Sequence, residues 1–224
     1  MKNELAVFWE SLKHLLSVAG DLILLNVLVF LGCIPVVTAG ASWTAGYTCM
    51  LRLLRGVDTG FPFKPFIAAF RESFRAATPI WLLLLGCLGI LAGDFYYAVY
   101  VSVPVQTFFL YFSVLMAVVL GLAATWVFPL VARYQNTLRG HNKNAFLLAL
   151  ASFPQTLLAL AIQVLFVAVP LLWTDAVIYF GWLWLLFGLS LPMYLTLMLY
   201  RKTLHVQPEP VDPPEESAKA ADLK

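Results

Sequence analysis

In a chain this apolar, side chains that can ionise or hydrogen-bond are the first candidates for chemistry. Asp21 and Asn26 stand about one and a half helical turns apart at the head of the first uncharged run, and Gln163 lies near the middle of a later one. Polar groups at such positions build either a substrate or ion pathway or hydrogen bonds between helices. For Asp21 a further reading is a helix start at the interface, where the positive end of the helix dipole favours a carboxylate. No GxxxxGK[ST], HExxH or GxSxG motif occurs, and no helix carries a paired acidic motif. The sequence therefore predicts a non-enzymatic protein that uses no cofactor and no metal. His14, His141 and His205 fall beside basic residues at the ends of apolar runs, which predicts interfacial anchoring. Cys33, Cys49 and Cys87 lack CxxC spacing and read as small apolar fillers.

The most informative surface is a basic, aromatic stretch between two apolar runs. Residues 65–75 place Phe66, Phe70 and Phe74 four apart on one stripe of a short helix, with Arg71, Glu72 and Arg75 off it. Arg52 and Arg55 close the preceding run. Two uses fit this pattern: anchoring to anionic lipid, or docking of a cytoplasmic partner on Arg52, Arg55, Phe66, Phe70, Arg71, Phe74 and Arg75.

These residues must be positioned by a membrane fold. The 224 residues are 62% hydrophobic and 12% charged, too little polar surface to cover a soluble domain. Residues 22–51, 76–93, 95–132, 144–174 and 176–200 contain no Lys, Arg, Asp or Glu, and about 20 apolar residues cross a bilayer as a helix. The formal net charge of +2 gives no reason to expect nucleic acid. The expected fold is an all-α, polytopic helical bundle with six transmembrane helices, near residues 21–37, 41–54, 78–97, 106–132, 144–172 and 175–200. The alternative is five spans plus a re-entrant or tilted segment at 41–54, which is short and carries Ser42, Thr44, Gly46 and Thr48.

Around this domain (21–205), residues 1–20 form an amphipathic segment along the membrane surface. Residues 206–224, with four prolines among five acidic residues, form a disordered tail. Ser102, Val103 and Pro104 mark a turn inside the 95–132 run. The six prolines Pro35, Pro79, Pro129, Pro154, Pro170 and Pro192 read as helix boundaries, and most tryptophans as interfacial belts. With six crossings and a cytoplasmic N-terminus, all 14 Lys and Arg residues fall on the cytoplasmic side, and the outer turns hold only Asp94 and Asp175. A dipping 41–54 segment keeps the later loops on that side only if the N-terminus is outside.

The order of residues Asn26, Pro35-Val36-Val37-Thr38, Gly40, Tyr47, Arg52, Arg55-Gly56, Lys64, Phe66, Phe70, Phe74, Ala77-Thr78 and Trp81 resembles the YesL family, a bacterial membrane family of unknown function. Phe128-Pro129-Leu130, Arg133-Tyr134, Asn136 and Lys143-Asn144-Ala145 are similar to it as well, so the resemblance covers about residues 17–201. Ala41 and Pro65 depart from it: the family often has Pro at the first position and an acidic residue at the second. The resemblance implies a bacterial cell membrane location and a gene setting beside carbohydrate ABC importers and polysaccharide-degrading enzymes. It thereby suggests an accessory or assembly partner of an importer, with the lipid bilayer and importer subunits as partners. The rival expectation is a small permease with a site between its helices at Asn26 or Gln163. The sequence does not specify an oligomeric state.

Overall fold

The computed structural model describes residues 2–56, 62–100, 106–134 and 137–206, and every regular element among them is helical. In chain order these are α1 (Lys2–Cys33), a 3-10 turn (Val36–Thr38), α2 (Ala39–Leu54), α3 (Phe63–Tyr100), α4 (Gln106–Arg133), α5 (Leu138–Ala151), α6 (Phe153–Leu172), α7 (Thr174–Phe187) and α8 (Ser190–Tyr200). Four helices are long and apolar enough to cross a bilayer, over Leu16–Cys33, Phe63–Tyr100, Thr107–Arg133 and Phe153–Leu172. A fifth crossing forms if Gly181–Phe187 and Ser190–Tyr200, bent by 49° at their junction, act as one span. The chain is thus an all-α membrane protein with four or five candidate crossings.

The segment that drops out of the expected six is α2. Its 16 residues rise about 24 Å, against a hydrocarbon core of about 30 Å. Most of α2 is buried, and it packs against α1, α3, α4 and α8. Small residues allow this. A Cβ on Gly40 would fall 2.4 Å from the Trp81 Cβ and 3.0 Å from the Ala77 carbonyl, so backbones meet there. Gly46 likewise faces Val29 and Met193.

Other boundaries also differ from expectation. The 1–20 segment and the first span are one helix, α1, because no breaker separates them before Pro35. The helix expected at 65–75 runs unbroken into the third span as the 38-residue α3, with Pro79 inside it. Pro79 brings no N–H to the Arg75 carbonyl one turn back, and the helix continues through that gap. Residues 144–172 are divided at Ser152, where Pro154 opens α6. Residues 175–200 are divided at Gly188 and Leu189. Pro79, Pro129 and Pro170 thus sit inside helices, whereas Pro35, Pro154 and Pro192 lie at ends. Val206, assigned by sequence to the tail, is buried, and its amide donates to the Arg201 carbonyl at 3.0 Å. The expected turn at Ser102–Pro104 and the tail from 207 onward lie outside the described residues.

Trp173 and Trp182 are exposed with Tyr96, Tyr97 and Tyr100, as an interfacial belt requires. Trp126 is fully buried, and Trp43, Trp81 and Trp184 are half-buried. They serve the interior.

Candidate functional site

Asn26 sits two residues inside the buried face of α1 that runs Leu22, Leu25, Val29, and is itself 2% exposed. Its position opposite the α7–α8 break defines its use. There the chain leaves one helix and begins another, freeing backbone groups that hydrocarbon cannot hydrate. Asn26 Oδ1 accepts from the Leu189 amide at 2.8 Å and the Ser190 amide at 2.9 Å. Its Nδ2 donates to the Leu185 carbonyl. One side chain on α1 therefore caps the start of α8 and holds the end of α7 at once.

Gln163 belongs to a second polar layer. Its Nε2 lies 3.4 Å from the Tyr47 hydroxyl and 3.4 Å from Thr196 Oγ1, which joins α6 to α2 and α8. Nearby, Trp126 Nε1 donates to Thr156 Oγ1 at 2.8 Å, and the Tyr200 hydroxyl donates to Thr125 Oγ1 at 2.9 Å. The Trp126 and Tyr200 rings stack with centroids 3.7 Å apart and planes 11° apart. This layer ties α2, α4, α6 and α8 together. Sequence reading singled out Gln163 but missed Tyr47, Thr125, Trp126, Thr156 and Tyr200. The available signal was a hydroxyl or indole N–H inside an uncharged run, where it must find a partner.

Asp21 is half-exposed on α1, one turn and a half before Asn26. His141 is buried on α5, unlike the interfacial position expected, and His205 is exposed. The three cysteines are free thiols, with Cys49 buried. Among the described residues no group of three His, Cys, Asp or Glu could hold a metal ion.

The Phe stripe of α3 forms a ladder, with Phe66 and Phe70 centroids 6.3 Å apart and Phe70 and Phe74 6.1 Å apart. Its base points inward: Phe66 is buried, Phe70 packs against the core, and only Phe74 is exposed. The exposed side of that segment carries Lys64, Ile67, Arg71, Glu72 and Arg75, three cations against one carboxylate. Arg52 is exposed and Arg55 half-exposed at the end of α2. What this region offers a partner is thus a cationic face with a few apolar side chains rather than a row of three phenylalanines.

Comparison with known proteins adds little beyond this geometry. No curated protein and no solved structure matches the chain. Residues 22–95, the stretch from the buried face of α1 through α2 into α3, are similar to a family described as a protein of unknown function, DUF624.

Proposed function

We propose that this chain is a non-enzymatic membrane protein that acts as an accessory or assembly partner of a carbohydrate ABC importer in the bacterial cell membrane. The YesL resemblance supplies the importer. The observation that favours the non-transporting role is the engagement of Asn26: all three of its bonds serve the α7–α8 break, so its amide is taken up by the fold, and only the buried Ser190 hydroxyl beside it is unpartnered among the described side chains of the break. The cationic face of Lys64, Arg71 and Arg75 beside Arg52 is then the accessible chemistry, and it faces the cytoplasm.

For topology we infer that α1 and α2 form a hairpin that begins and ends on the cytoplasmic side, followed by four crossings, with α2 held inside the bundle. Gly40, in the first turn of α2, meets the α3 backbone at Ala77. Ala77 lies two residues, about 3 Å of rise, past Arg75. Arg75 belongs at the cytoplasmic interface, because a charge in hydrocarbon costs at least about 2.5 kcal/mol. The turn before α2, which Trp81 covers at Val36, therefore lies past Arg75 inside the bilayer. α1 pairs antiparallel with α2 through Ser42 and Gly46 against Val29, so it starts on the side where α2 ends at Arg52 and Arg55, and the N-terminus is cytoplasmic. The charge asymmetry is then complete, with all 14 Lys and Arg residues on the cytoplasmic side.

Affinity purification from native membrane tests the partner. Wild type should retain importer subunits in stoichiometric amount. Exchange of Arg71 and Arg75 together for Lys should weaken retention, because bidentate contacts are lost while charge is kept, and Ile67→Ala should weaken it as well. Recovery of no stoichiometric protein with wild type refutes this reading. The permease reading has one observation in its favour, the discontinuous α7–α8 helix, a construction that transporters use at binding sites.

A further inference from the structure

A crevice enclosing about 300 Å³ opens beside the α7–α8 break, walled by Phe30 and Cys33 of α1, Ala39 and Trp43 of α2, Trp81 of α3, and Trp184 with Leu189. Three tryptophans from three helices meet there, and two of them spend their only donor elsewhere. Trp81 Nε1 donates to the Val36 carbonyl at 2.7 Å and Trp184 Nε1 to the Phe166 carbonyl at 2.9 Å, while the Trp43 indole lies near the Tyr47 hydroxyl. The rings present carbon to the crevice, and a ligand inside has nothing polar to meet. The volume is at the lower end for a binding pocket, enough for part of one hydrocarbon chain.

The rim identifies the source. Phe30, Leu31, Ile34, Val36 and Val37 around the mouth are all exposed, and residues 22–51 hold no charge, so the crevice is continuous with the lipid-facing surface. The turn at the mouth is finished for hydrocarbon: Thr38 Oγ1 donates to the Gly32 carbonyl at 2.7 Å and the Pro35 carbonyl at 2.9 Å, while Trp81 covers Val36. Arg75, exposed on α3, lies six residues or about 9 Å of rise before Trp81. This places a cation at headgroup depth below an apolar slot. We propose that the crevice holds one acyl chain of an anionic phospholipid of the cytoplasmic leaflet, with its phosphate at Arg75. The placement of Arg75 at the interface is shared with the topology inferred above, and Arg75 also belongs to the face assigned to the partner; lipid binding by the purified protein is read without that partner.

The test is titration of the purified protein in detergent with phosphatidylglycerol carrying a brominated chain, read by quenching of tryptophan emission. Exposed Trp9, Trp173 and Trp182 supply a quench that grows linearly with lipid. The crevice should add a saturable phase at one lipid per chain. Ala39→Phe, and independently Cys33→Phe from another wall, should abolish that phase while leaving the linear one and the helical circular dichroism unchanged. Brominated phosphatidylcholine should bind about fivefold more weakly than phosphatidylglycerol, and Arg75→Gln should remove the difference. A purely linear quench in wild type, or a saturable phase that persists in both filled variants, overturns the site. Equal binding of the two lipids by wild type overturns the assignment to an anionic headgroup. External accessibility of residue 75 would refute the topology and is read separately.

Discussion

Replacing Asn26 by Leu should be the most damaging single change to a polar residue of the bundle. The substitution removes one acceptor shared by the Leu189 and Ser190 amides and the donor to the Leu185 carbonyl, at a position 2% exposed. Interhelical bonds in membranes contribute about 0.6 kcal/mol each on average, so three bonds account for about 2 kcal/mol. Two amides left buried without partners raise the cost, and the expected total is about 2–4 kcal/mol. That corresponds to roughly a 30- to 1,000-fold shift in the unfolding equilibrium. Gln163→Leu is the comparison, since its two contacts are both at 3.4 Å, long for hydrogen bonds, and should cost no more than about 1 kcal/mol. Asn26→Asp should fall between them, because it keeps an acceptor at the positive end of α8 but loses the donor. Denaturant titration in micelles, followed by tryptophan emission, measures all three; Trp184 on α7 is bound to the Phe166 carbonyl and reports opening of the break. If Asn26→Leu proves no costlier than Gln163→Leu, the side chain does not hold the two halves together.

Glycines should divide by surroundings. Gly40→Ala, where the added carbon meets the Trp81 Cβ and the Ala77 carbonyl, should cost stability, whereas Gly89→Ala, which meets nothing within 4 Å, should be neutral or gain up to about 1 kcal/mol by helix propensity, as thermal unfolding in detergent will show. On a Cys-free background, a cysteine at 175 should react with an impermeant maleimide in intact cells, and cysteines at positions 2 and 139 only after permeabilisation. External reaction at position 2 would refute the α1–α2 hairpin. Truncation after Val206 should leave thermostability unchanged, while truncation after His205 should lower it, because Val206 is buried and its carbonyl lies 3.5 Å from Arg201 Nε.

The membrane character and the all-helical fold were legible in charge-free runs because the bilayer admits few other solutions. The divisions at Ser152 and at Gly188 were not, because nothing in the local pattern of an apolar run separates a long helix from two halves. What marks the second break is Asn26, more than 150 residues away, and only the packing of α1 against α7 and α8 connects them. Asn26 was identified by residue type alone; its role needed the partner. The Phe stripe shows the converse case. Its spacing was read correctly as one helix face, yet the face turned inward at Phe66 and Phe70, since a sequence period fixes which residues share a face and not what that face meets.

α2 shows how such a bundle can hold polar sequence in its interior. Ser42, Thr44 and Thr48 would each need a partner away from water, and each takes a backbone carbonyl: Ser42 Oγ donates to Val29, Thr44 Oγ1 to Gly40 and Thr48 Oγ1 to Thr44, all within 3.0 Å. Two of these bonds stay within α2, so the helix needs few partners from its neighbours and no water-filled space. Its glycines then let α1, α3 and α8 close on it. The same features make α2 unfit to face lipid alone, since its low apolar content would not carry it across. A helix that is stable only when enclosed constrains α1 and α3 to assemble around it, and residues 22–95, the stretch similar to other sequences, contain this unit. The chemistry of the protein is thereby pushed to the unit's periphery, to the basic ends and the tryptophan-lined crevice, where substitutions should alter binding before they alter the fold.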